Sequence, residues 1–143
     1  MISKSVKDTE KIAKIFLEKL LKDKNKDTAL VVALSGDLGV GKTAFTQSVL
    51  KHLGVKNKVS SPTFVIIKKY SLKTKGYKYL FHLDAYRLKN KQELLNLGWE
   101  EIIEDGENLV FIEWPENVTK AIPANAKFIR IKDMDGGNKS FEF

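Results

Sequence analysis

Eight residues, Gly36-Asp37-Leu38-Gly39-Val40-Gly41-Lys42-Thr43, constrain this chain more than any other stretch. Glycines at 36, 39 and 41 leave a backbone that can curl where side chains would block it. The run before it, Ala29-Leu30-Val31-Val32-Ala33-Leu34, is apolar without alternation, the pattern of a strand buried in a parallel sheet. Behind it, residues 43–53 place Phe45, Val49, Leu50 and Leu53 at helical spacing, and Gly54 stands where the helix should stop. Strand, G-x-x-x-x-G-K-[ST] and helix in that order make a phosphate-binding loop. Its backbone N–H groups and the helix N-terminus are expected to hold phosphate. Lys42 is expected to reach the β- and γ-phosphates, and the Thr43 hydroxyl to ligate Mg²⁺. The expected ligand is a nucleoside triphosphate.

Composition narrows the class around that loop. A chain of 143 residues without cysteine has no disulfide framework and no thiol chemistry, and its length suits one domain, 1–143. With 43% hydrophobic and 30% charged residues it reads as a soluble globular protein. No run approaches the about 18 apolar residues of a membrane span. Residues 1–8 lack the apolar core of a signal peptide, so a cytoplasmic location is expected. The net charge of +7 invites a nucleic-acid reading, but the lysines are spread out and Arg87 and Arg130 are the two arginines. Solvated lysine faces explain that charge more simply.

Along the chain, Ser5-Val6-Lys7-Asp8 has the form of a helix capping box. An amphipathic helix follows through Ile12, Ile15, Phe16 and Leu20, ending near Lys22. Beyond the loop helix, residues 59–64 read as a loop feeding a strand over 64–70, a turn at 73–76 and a returning strand over 77–83 with Asp84 at its end. A short helix is expected over 91–97, broken by Gly98, with another turn or two over 99–104. Residues 108–112 form an apolar strand ending in Glu113-Trp114-Pro115, then 117–122 a short helical segment. Segments 127–132 and 139–143 alternate around Asp135-Gly136-Gly137-Asn138, a closing hairpin. The sum is an α/β domain of the phosphate-loop class, a mixed sheet flanked by helices.

Such a site needs carboxylates at neighbouring strand ends. Glu113 follows four apolar residues and Asp84 ends the preceding strand. Strand alternation puts His82 on the face of Asp84, where a packed strand histidine is at least as good a reading as a chemical one. Thr63 is a candidate switch threonine or an ordinary loop residue, and Trp114 a base-stacking platform or a rim aromatic. His52 reads as a charge partner for its helix dipole. Asn90-Lys91-Gln92-Glu93 approaches a guanine-reading motif but opens a helix and ends in Glu, which argues against a GTPase.

The loop, Ser61-Pro62-Thr63-Phe64, His82-Leu83-Asp84-Ala85-Tyr86-Arg87 and Ile112-Glu113-Trp114-Pro115-Glu116 occur in this order. Together they resemble the TsaE (YjeE) family, small ATPases of bacterial tRNA threonylcarbamoyladenosine biosynthesis. The resemblance spans roughly residues 5 to 130. It implies an ATPase that works with two proteins, TsaB and TsaD, and meets tRNA through them. It implies Mg²⁺ ligation by Thr43 and Glu113, a catalytic or water-positioning role for Asp84, a switch role for Thr63 and a phosphate contact from Lys42. Nucleotide contacts are expected from Asp37, Leu38, Gly39, Val40, Gly41, Lys42, Thr43 and Ala44, with Thr9 and Trp114. Ala44 departs from the family, which usually repeats threonine there.

Overall fold

The structure, a computed structural model, describes residues 1–23, 27–56, 67–74 and 76–143. Among these, strands β1 Ile2–Ser3, β2 Leu30–Ser35, β3 Ile67–Ser71, β4 Tyr79–Asp84, β5 Asn108–Glu113, β6 Lys127–Asp133 and β7 Lys139–Glu142 form one sheet. Its order is β1-β7-β6-β2-β5-β4-β3. The helices are α1 Val6–Leu20, α2 Lys42–His52, α3 Lys91–Leu95 and α4 Trp99–Glu104. Strand β2 lies parallel to both neighbours, β5 and β6, as its unbroken apolar run requires. The outer pairs β3–β4, β6–β7 and β1–β7 are antiparallel, so the sheet is mixed.

Alternate residues of β2 feed two cores. Leu30, Val32 and Leu34 face α1 and α2 with Phe16, Phe45 and Phe111; Val31 and Ala33 face α3 and α4 with Leu94, Trp99 and Ile112. Helix α1 starts where Ser5 accepts the Asp8 N–H at 3.2 Å. The return bond differs from a reciprocal box, because the Asp8 carboxylate takes the Lys4 N–H at 2.9 Å instead of that of Ser5. Helix α2 ends as Gly54 implies. The Gly54 N–H bonds Lys51 O and the Val55 N–H bonds Leu50 O, two reverse bonds that close the last turn.

Several boundaries differ from the sequence expectation. The described part of β3 starts at Ile67 and runs to Ser71, and residues 57–66, including Thr63, lie outside the described residues. Helix α3 stops at Leu95, two residues short, before Gly98 at φ +88° opens α4. The helix expected over 117–122 is a 3₁₀ segment, Pro115–Ala121, with a non-helical break at Val118. Proline at its first position sets the start. The strand pairing Ile2 with Ser140 has no sequence signal, being two residues long. Asn90 caps α3, its Oδ1 accepting the Glu93 N–H at 3.1 Å, so the near-match to a guanine-reading motif is a helix start.

Candidate nucleotide site

The loop begins one residue after β2 leaves the sheet, and Gly36 is the tightest point. A Cβ built there would lie 2.6 Å from Ile131 O and 2.7 Å from Val40 Cγ1. The Val40 methyl can turn away; the β6 carbonyl cannot. Gly36→Ala is therefore expected to destabilise the ligand-free protein by about 1–3 kcal/mol, read as a lower denaturant midpoint. An unchanged midpoint would show that β6 yields easily. At the other end Gly41, at φ +115°, is the N-cap of α2 and supplies no side-chain cap. The first-turn N–H donors of α2 are thus left to the concavity of the loop, the arrangement that accepts an anion.

Lys42 is buried to 4% exposure. Its ammonium donates to the carbonyls of Gly36 and Asp37, the latter at 3.1 Å, and lies 4.1 Å from the Trp114 ring centroid. Burial pulls its pKa down, partly offset by the negative charges of Glu113, Glu116, Asp84 and Asp37. Trp114 carries φ +59°, the one positive φ among described non-glycine residues. A left-handed aromatic costs about 1–2 kcal/mol, and Pro115 keeps the residue before it out of the right-handed helical region. The ring packs against Tyr86, centroids 5.0 Å apart, and covers Lys42.

Both carboxylates stand where strand order puts them. Asp84 and Glu113 are register partners at the ends of β4 and β5. Glu113 is 4% exposed, and a buried carboxylate needs donors. It has two: Thr43 Oγ1 at 3.0 Å and His82 Nε2 at 2.6 Å, both on Oε2. Asp84 is half-buried, and its Oδ1 accepts the Tyr86 N–H at 2.9 Å. Burial pushes its pKa up; the Tyr86 bond opposes this, and the Glu113 charge adds to the rise. Thr43, Glu113, Lys42 and Asp84 thus come together as the sequence suggests.

Trp114 joins them through its ring over Lys42, but Thr9 and Trp114 line different clefts. Thr9 lines a cleft of about 600 Å³ on one flank of the loop with Gly41 and Ala44. Trp114 lines another of about 540 Å³ on the far flank with Gly36, Asp37 and Arg130. Thr9 is held there by Ser3, hydroxyl to hydroxyl at 2.7 Å. Leu38 stands 72% exposed at the loop tip, and Val40 faces the core at 1%. His52 bonds the Glu10 backbone carbonyl at 2.9 Å, tying α2 to α1. Two contributors escaped the sequence reading. Lys139 of the closing hairpin reaches the Thr9 cleft, and Glu116 receives the hydroxyl of Ser35, which immediately precedes the loop. Lys139 carries no local signal, since it arrives by long-range strand pairing, whereas Glu116 closes the quoted Ile112-Glu113-Trp114-Pro115-Glu116 segment.

A central parallel strand, a glycine loop, a lysine and a hydroxyl–carboxylate pair at the loop mouth define an α/β protein of the phosphate-loop class. Comparison with known proteins narrows this. The family model "Threonylcarbamoyl adenosine biosynthesis protein TsaE" matches residues 3–140. A Rickettsia typhi protein named tRNA threonylcarbamoyladenosine biosynthesis protein TsaE is 35% identical over 136 residues, covering 94% of this chain and 87% of the relative. A Treponema pallidum protein of the same name is 30% identical over 138 residues, covering 96% and 94%. The crystal structure of Bacillus subtilis YdiB superposes with a TM-score of 0.69 at 26% identity, over 99% of this chain and 80% of that one. The chain belongs to the TsaE family.

Proposed function

We propose that this protein binds and hydrolyses ATP in the formation of threonylcarbamoyladenosine on tRNA, acting with TsaB and TsaD. The observation that carries the ATP reading is the Thr43–Glu113 pair, Oγ1 to Oε2 at 3.0 Å, set beside Lys42 and opposite Asp84. The pathway and its partners rest on membership of the family. Among the described residues no helix is long and apolar enough to cross a membrane.

The donor set suits Mg²⁺. A hard ion that keeps waters and phosphate oxygens takes only one or two protein oxygens, and a hydroxyl beside a carboxylate offers them. Thr43 and Glu113 would hold it, and when bound it neutralises charge on the β- and γ-oxygens. Lys42 exchanges the Gly36 and Asp37 carbonyls for phosphate oxygens. Asp84 orients a water, its carboxylate held by the Tyr86 N–H. Trp114 and Tyr86 shield the lysine side from solvent, and the Thr9 cleft, of a size usual for small ligands, takes base and ribose. Thr63 is proposed, from the family likeness, to sense the γ-phosphate.

Titration with ATP and GTP, then hydrolysis and pull-down with TsaB and TsaD, tests the reading. ATP should bind more tightly than GTP, since the nearest match to a guanine-reading sequence, Asn90-Lys91-Gln92-Glu93, is a helix cap. Turnover should be slow alone and rise with both partners. GTP binding as tight as ATP would overturn the adenine assignment, and failure to engage TsaB and TsaD in any nucleotide state would overturn the partnership.

A further inference from the structure

His82 lies in the middle of β4, fully buried, in register with Phe111 and on the core face of Leu80. An imidazole among such residues is costly unless its polar atoms are bonded. Only one nitrogen is. Nε2 meets Glu113 Oε2 at 2.6 Å, whereas Nδ1 is buried with no hydrogen-bond partner among the described residues. A carboxylate only accepts, so Nε2 carries the hydrogen of this bond. Nothing in the lysine, threonine and aspartate roles above uses this ring.

The bond has a consequence for the carboxylate. Glu113 Oε2 receives both His82 and Thr43, while Oε1 receives only the longer Thr43 contact, 3.3 Å. A glutamate has three side-chain torsions, and at a strand end it would sample several rotamers. Two donors on one oxygen select a single orientation and leave Oε1 the less occupied atom. We propose that His82 is a positioning residue for Glu113, fixing from inside the sheet which carboxylate oxygen is presented to Mg²⁺ or to its water. The proposal rests on the assignment of Glu113 to Mg²⁺.

The test reads the Mg²⁺ midpoint for ATP binding by calorimetry in wild type, H82L, H82Q, E113A and the two double variants. H82L should raise that midpoint about tenfold or more, the usual effect of losing a group that orients a ligand. ADP affinity in EDTA should stay within about twofold, because α2 and the loop are untouched. H82Q, which keeps an N–H donor, should recover most of the loss and leave a shift of about two- to threefold. In the E113A background neither change should move the midpoint further, there being nothing left to position. H82L binding Mg²⁺–ATP like wild type, or shifting equally with and without Glu113, overturns the role. If leucine fails to fold, H82A, which also lacks the donor, takes its place: a shift that needs Glu113 supports the role, and no shift or one independent of Glu113 overturns it. Wild-type ATP binding that ignores Mg²⁺ overturns the Glu113 assignment and this role with it, an outcome distinct from failure of H82L alone.

Discussion

Lys42→Ala is expected to weaken ATP binding by about 2–5 kcal/mol, as when one partner of a buried charge pair is removed. That is a loss of about thirtyfold to several thousandfold in affinity. The ammonium is already out of water in the ligand-free protein, at 4% exposure, and burial alone lowers its pKa. Its present partners are two neutral carbonyls and an aromatic face. Triphosphate oxygens are charged and stronger acceptors, so binding exchanges bonds to neutral carbonyls for bonds charged on both sides, with little further desolvation. Alanine removes this ammonium and leaves the phosphate to the backbone N–H groups and the Mg²⁺ proposed above. Calorimetry on the folded variant measures the difference, and a melting curve near wild type confirms that folding is not at issue. Unchanged affinity would remove the loop from the binding site.

Asp84→Asn is expected to separate binding from turnover. Hydrolysis with TsaB and TsaD should fall by about 10²–10⁴, the range for losing a group that acts on a proton or water in the transition state. ATP affinity should change little, since Asp84 is not among the residues holding phosphate. The same change should raise stability. At neutral pH a carboxylate whose folded pKa lies above its unfolded value destabilises the fold, and burial raises that of Asp84. Asparagine keeps an acceptor for the Tyr86 N–H and ends the repulsion with Glu113. Because the side chain is partly solvated the gain is discounted to about 0.5 kcal/mol. The melting temperatures of both proteins without nucleotide should converge on acidification, as Asp84 takes up its proton. A variant that melts lower than wild type and still turns over would put Asp84 in a structural role.

What could be read in the sequence is what local pattern encodes. The β2 run, the loop, the Ser5 cap and the Gly54 stop each need only a few neighbouring residues, and each stands as expected apart from the return bond of Asp8. The Asp84–Glu113 pairing was within reach because both acids end apolar strands. Facts of topology were not. Thr9 and Trp114 sit on opposite flanks of the loop because β1 and α1 close one side and the chain after β5 the other. The His82–Glu113 bond joins positions 31 residues apart through a strand pairing, so the ring looked as much like packing as chemistry. Lys139 reaches the Thr9 cleft only because β7 folds back beside β1.

The strand order also sets a schedule for folding. The outer pairs β3–β4 and β6–β7 join neighbours in sequence and can form early as hairpins. The central strand has no such neighbour: Leu30 pairs with Leu109, and Val32 with both Phe111 and Lys127. Long loops must close before those ladders exist, which slows assembly. The loop, Glu113 and Asp84 meet only across β2, β5 and β4, so an intact nucleotide site is a product of the last and least local contacts. Nucleotide bound to that site favours the completed sheet over every partly formed state by mass action. A ligand of that site would then act on the folding chain as a late selector of the finished fold.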